Sequence, residues 1–306
     1  MIRTSALLVV IPLLAVGCGE KPESPHAAAD TKQTISAAQA AGKQGEKSPQ
    51  SLTAPAPKPG DVLEAIYQKN SQGQSTVAIA NGSQATYWYG YAFDLNGKRY
   101  FTGFAYDTPD KFSEQEKDVP PAPDAKVTLT EATFEWGASG SKPGWNRVAS
   151  ERSIGEFGSY EKADAIDEKE AAQSTATADG RIVLAVPTWY LASGVRIKSF
   201  SMFVYRRTTS SSDPDDTDWT YVGNVFRGDD NRASCDADGS GSQMPCAAGS
   251  GTIAFVPAPG AELPRLRVAM KGTGIDDAGH KKTYGAADVI EYWFNPKAKA
   301  YEAVKR

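Results

Sequence analysis

The stretch TYWYGYAFDLNGKRYFTGFAYD, Thr86 to Asp107, decides the fold class. Asn96-Gly97 tolerates positive φ at both positions, as the two-residue type I′ turn of a β-hairpin requires. Aromatic and β-branched residues fill both flanks, which suits strands. A two-residue loop sets Leu95 opposite Lys98, Asp94 opposite Arg99, Phe93 opposite Tyr100, Gly90 opposite Gly103, Tyr89 opposite Phe104 and Tyr87 opposite Tyr106. Unlike charges, rings and glycines all meet their own kind of partner along this ladder. The register puts Tyr87, Tyr89, Tyr91, Phe93, Tyr100, Phe104 and Tyr106 on one face. Trp88, Ala92, Phe101 and the glycine pair occupy the other, where another backbone can come close.

Working outward, further strands are expected at 127–136, 181–190, 195–207, 219–226, 252–256, 266–270, 289–294 and 301–304. The 181–190 and 195–207 segments read as central strands, the second with Phe200, Met202 and Val204 on one face. Two short helices are expected. One spans Asp61 to Lys69, with Asp61 as N-cap and Glu64 three residues on. The other covers the charged, Ala-rich Tyr160 to Gln173. No repeat of fixed period is visible. These patterns predict a mainly β fold: an antiparallel sandwich, barrel or short propeller with about two short helices.

The 306-residue chain carries a formal charge of −4, 28 glycines and 19 prolines. A mildly acidic balance argues against a nucleic-acid partner, which demands a basic patch. Its N-terminus begins Met1-Ile2-Arg3, followed by an apolar run from Ala6 to Val16, too short to cross a bilayer core of about 30 Å. The run ends Ala15-Val16-Gly17-Cys18. This resembles the lipobox of bacterial lipoprotein precursors, and the resemblance covers only the first two dozen residues. It implies cleavage before Cys18, lipidation of the Cys18 thiol, and residence in the bacterial cell envelope on a membrane. Gly19 after the cysteine implies the outer membrane, facing the periplasm, in a diderm host. Residues 1–17 are then a signal peptide. Residues 18–60, rich in Pro, Ala and Lys, read as a flexible tether, with about forty residues reaching roughly 35 Å. The expected β-rich domain is 61–306.

Two further cysteines, Cys235 and Cys246, form an even pair in an exported chain and read as a disulfide. Closing so short a loop stabilises the fold by about 3 kcal/mol in the chain-entropy account. Inside the loop, Asp236, Asp238 and Ser240 followed by Gly241 resemble the start of an EF-hand. They are the candidate ligands for a structural calcium ion, although position 12 is Ala247 in place of Glu. No other cofactor is expected. A second acidic loop, Asp213 to Asp218, reads as a solvated connection.

Only two histidines occur, and His26 lies in the tether. His280 sits in a polar loop, with no Gly-x-Ser-x-Gly elbow in the chain to serve. Paired carboxylates could act without histidine. Glu131 and Glu135 share a strand face but stand about 13 Å apart, and Glu156, Glu161 and Glu291 have no partner that the pattern identifies. The remaining leads are a cationic strand face at Arg265, Arg267 and Lys271 and the aromatic hairpin. Tyr87, Tyr89, Tyr91, Tyr100, Phe104 and Tyr106 are the candidate ligand platform, for a sugar or a protein. No catalytic residue is assigned. The sequence points to a non-catalytic envelope module binding a protein or a glycan, of the inhibitor, immunity or assembly-accessory kind. A cell-wall or polysaccharide hydrolase with paired carboxylates is the alternative.

Overall fold

Apolar side chains fall on both faces of 182–188 and 199–205, and every residue of these two stretches is buried, so both faces of this part of the hairpin need cover. A computed structural model, describing residues 55–113, 119–139, 142–207, 217–235 and 244–304, supplies that cover with three antiparallel sheets and one α-helix. Cys18, the leader, Asp213, Asp236, Asp238 and Ser240 lie outside the described residues.

The first sheet has the order β1-β2-β3-β4-β5, with β1 at Thr76–Ala78, β2 at Gln84–Leu95, β3 at Lys98–Asp107, β4 at Val127–Ser139 and β5 at Lys142–Phe157. In the second sheet, β6 (Ala165–Ile166) and β7 (Gln173–Ala176) both pair with β8 (Ile182–Ala192), which continues to β9 (Val195–Tyr205) and β10 (Trp219–Asp230). The third sheet is β11 (Gly249–Val256), β12 (Arg265–Ile275), β14 (Val289–Asn295) and β15 (Ala300–Ala303), with β13 (Lys281–Thr283) on the far end of β12. A 3-10 turn at Ala80–Gly82 links β1 to β2.

Three apolar clusters join four layers. Helix α1 (Pro59–Tyr67) packs Val62, Leu63 and Ile66 on Phe101, Ala105, Ala132 and Phe134 of the first sheet. Phe104, Leu129 and Phe157 on the other face of that sheet meet Leu184, Val186, Phe203 and Trp219 of the second. Val183, Ala185, Phe200, Met202 and Val204, on the far side of the same strands, meet Leu266, Val268 and Tyr292 of the third. Ring pairs such as Phe104–Phe203 (4.8 Å) and Phe104–Trp219 (5.2 Å) knit the first interface. Each contributes about 0.5–1.5 kcal/mol beyond its burial.

The hairpin register holds from Leu95↔Lys98 to Tyr89↔Phe104. Trp88 is then an extra residue, a bulge, so Tyr87 pairs with Ala105 and Tyr106 with Thr86 instead of with each other. This one-residue insertion turns Tyr87 to the helix and Trp88 inward, where its ring meets Phe157 edge-on at 5.0 Å.

Two helix expectations change. Helix α1 starts at Pro59, and Asp61 is not the N-cap: its carboxylate accepts the Lys58 N–H at 3.1 Å from within the first turn. No helix forms over 160–173. Tyr160 and Glu161 take φ of 52° and 54°, which a right-handed helix forbids, and 165–166 pair with β8. Strand pairing outweighs the local alanine preference.

Gly103 sits beneath the helix, and a Cβ built there would lie 2.4 Å from Val62 Cγ2. Gly103→Ala should therefore push α1 off the sheet and lower stability by about 1–3 kcal/mol, read as a urea midpoint. Adding Val62→Ala should recover part of the loss, and a fully additive double mutant would contradict this contact.

Candidate binding groove and a buried carboxyl

β1 covers only Gln84 to Thr86 of β2, and the Tyr87 N–H reaches Ser75 O at 2.8 Å. Beyond that point the outer edge of β2 pairs with no described strand. The edge borders a groove of about 520 Å³, lined by five consecutive residues of β2, Tyr87 to Tyr91, and by Ile166, Glu168, Glu170, Ala171 and Ala172. Consecutive residues line a space only when the strand presents its edge, because successive side chains point to opposite faces.

Two struts set the spacing between the walls. Trp88 Nε1 donates to Asp164 O at 2.8 Å, and Tyr91 Oη donates to Ser174 Oγ at 2.6 Å. The second wall is pinned from behind by Arg227, whose side chain is fully buried. Its guanidinium reaches Asp167 Oδ2 at 2.5 Å, Glu170 Oε2 at 2.8 Å and Ser199 O at 3.2 Å. A buried cation with two carboxylates and a carbonyl is satisfied, and loss of either acid would leave it exposed to a desolvation penalty. Burial pushes the Tyr87 phenol up to about 12 and raises Tyr89 and Tyr91, so the groove presents neutral phenols.

The six rings of the candidate platform do not share one exposed face. Phe104 and Tyr100 are buried between the first two sheets, while Tyr89, Tyr91 and Tyr106 are partly covered by the same core. Tyr87 belongs to the helix side. Only Tyr87, Tyr89 and Tyr91 border the groove, and the Tyr91 ring stacks on Phe93 at 5.6 Å.

Other sequence candidates separate. Cys235 and Cys246 are bonded, with Cα atoms 5.0 Å apart. His280 is exposed on a turn, 3.8 Å from Asp276. Arg265 and Arg267 lie 3.6 and 3.4 Å from the same Glu291, whose one charge offsets part of the cationic face. Glu161 pairs with Lys111, and Glu135 with Lys98 and Arg207, whose hydrogen bonds hold its carboxyl down to about 2.

Glu131 stands apart. It is wholly buried, it faces Glu151 across the β4–β5 ladder, and its Oε1 has no hydrogen-bond partner among the described residues. Its Oε2 ends a directed chain: Trp219 Nε1 donates to Thr102 Oγ1 (2.9 Å), Thr102 and Thr133 share a bond of 2.7 Å, and Thr133 Oγ1 donates to Glu131 (2.7 Å). Thr133 gives its one hydroxyl proton to Glu131, so Thr102 must donate to Thr133, and the hydroxyls align toward the carboxyl. Burial pushes Glu131 up to about 8, with Asp218 and Glu151 adding to the rise.

The wall at 166–172 and Arg227 were not singled out from sequence. The one signal in the sequence is a lone arginine in Val225-Phe226-Arg227-Gly228, directly after the expected strand 219–226. No family model, curated protein or solved structure matches this chain.

Between the ordinary carboxyl value of 4.5 and about 8, the folded chain keeps a proton at Glu131 that the unfolded chain releases. Stability should therefore fall as pH rises through this window, by up to about 1.4 kcal/mol per pH unit from this group. Glu131→Gln should flatten the decline between pH 5 and pH 8, measured by denaturant unfolding. An unchanged slope would assign the proton elsewhere.

Proposed function

We propose that the chain is an envelope lipoprotein, lipidated at Cys18, whose β-rich domain binds an envelope protein or glycan without turning it over. The groove between β2 and 166–172 carries this reading. It is an open space of ligand size with one wall of strand edge and neutral phenols and a second wall fixed by Arg227. The leader ending at Cys18 and the Cys235–Cys246 bridge support an exported, oxidising setting. Binding sites on rigid scaffolds with a buttressed wall lose little entropy on association.

The test is purification of the full-length chain from crosslinked envelopes. Wild type should retain one stoichiometric ligand, and Ala171→Trp, which fills the groove from its exposed side, should cut retention at least tenfold. Mature protein should begin at an acylated Cys18 by mass spectrometry. Turnover of muropeptides or oligosaccharides by the purified protein would overturn the non-catalytic reading in favour of a hydrolase, and a bare Cys18 would remove the anchor.

A further inference from the structure

We propose that the ligand is an extended segment of a partner polypeptide that adds as a strand to the open edge of β2, with a basic side chain set against Glu168; this rests on the groove being the binding site. The hairpin parity fixes which groups it would meet. The two-residue turn at Asn96-Gly97 makes Leu95–Lys98 a hydrogen-bonded pair, so Asp94–Arg99, Ala92–Phe101 and Gly90–Gly103 are non-bonded pairs. The N–H and C=O groups of Gly90, Ala92 and Asp94 therefore point away from β3, and no described backbone group bonds them. A row of such groups is a template for another strand.

The same edge already accepts a strand. β1 pairs antiparallel with Gln84 to Thr86, and the Ser75 carbonyl marks where that pairing stops. An incoming segment would continue the line of β1 along about eight residues, roughly 27 Å of strand. Gly90 and Ala92 present little bulk there. On the facing wall Glu168 is exposed and has no described cationic partner, whereas Glu170 is committed to Arg227. A sugar is disfavoured because Trp88 packs on Phe157 and Tyr91 stacks on Phe93, which uses the ring surfaces a pyranose would need.

The experiment places a photo-crosslinking residue at Asp94 in the full-length chain within intact envelopes. The proposal expects an adduct with another polypeptide. In the purified complex, amide hydrogen exchange at Gly90, Ala92 and Asp94 should slow at least tenfold relative to the free protein. Ala92→Pro removes the outward N–H without touching the β2–β3 ladder and should cut adduct yield at least tenfold. Ala92→Ser should leave the yield unchanged, and Glu168→Lys should lower it at least fivefold. If Ala92→Pro does not fold, amide protection in the wild-type complex decides alone. A ligand retained in the groove while these amides stay unprotected would overturn strand addition and leave the binding reading intact. An adduct only with a second copy of this chain, or amides already slow in the free protein, would overturn it as well. Retention of no ligand at all would sink both.

Discussion

β8 and β9 have almost no water-facing side over their first seven and last seven residues respectively, and this burial on both faces organises everything else. Leu184, Val186 and Phe203 demand one covering sheet, and Val183, Phe200 and Met202 demand another. A single sandwich would leave one set in water at a cost of about 1.5–3 kcal/mol per large side chain. The aromatic hairpin of β2 and β3 is one cover, so its rings are spent on the core. The cationic strand β12 contributes to the other. One run of polar groups trapped in between is paired: Thr188 Oγ1 with Ser201 Oγ at 3.1 Å, Ser201 Oγ to Asn224 at 2.9 Å, and Asn224 to Asp164 at 2.8 Å.

The bulge at Trp88 decides how the first cover sits. Without the extra residue, Tyr87 would lie beside Tyr89, and Trp88 would face the helix. With it, Trp88 and Tyr89 both turn toward the second sheet, and Trp88 can reach Asp164. Trp88 and Tyr91 become struts instead of parts of an outward platform, while the backbone of β2 remains at the surface. What a ligand could meet at this hairpin is therefore its edge.

Much of this was legible from local pattern, and the failures have physical causes. The turn at Asn96-Gly97 and the register as far as Tyr89 follow from the pairing of glycines, rings and charges, and the central strands from continuous apolar runs. The bulge leaves no local mark, because Trp88 is as good a strand residue as Tyr87. Strand β5, sixteen residues long, escaped notice because Pro143, Gly144 and Gly155 break its pattern, which an edge strand tolerates. The segment 160–173 has helical composition, but its backbone serves β8, and composition does not record a partner distant in sequence. The pattern put all six platform rings on one face and ranked none by exposure, since exposure depends on which sheet docks and on the bulge that turns Tyr87 to the helix. The groove needs two segments about eighty residues apart, so neither announces it.

Pro187 accounts for the second wall. The β8–β9 hairpin closes through Ser193-Gly194, both at positive φ, so Ala192–Val195 is a bonded pair and Pro187–Phe200, five steps back, is a non-bonded one. A residue at position 187 would thus direct its N–H to the outer edge of β8, and proline has none. The outer ladder breaks there: β7 pairs with Ile182 to Ala185, β6 with Thr188 and Trp189, and among the described residues only Asp167 N–H to Pro187 O bridges the interval. The chain between β6 and β7 must detour, and the detour is 167–172, held by Arg227 against the edge of β2. The groove exists because one strand edge is interrupted by an imino acid and the edge opposite it is paired with no described strand beyond β1.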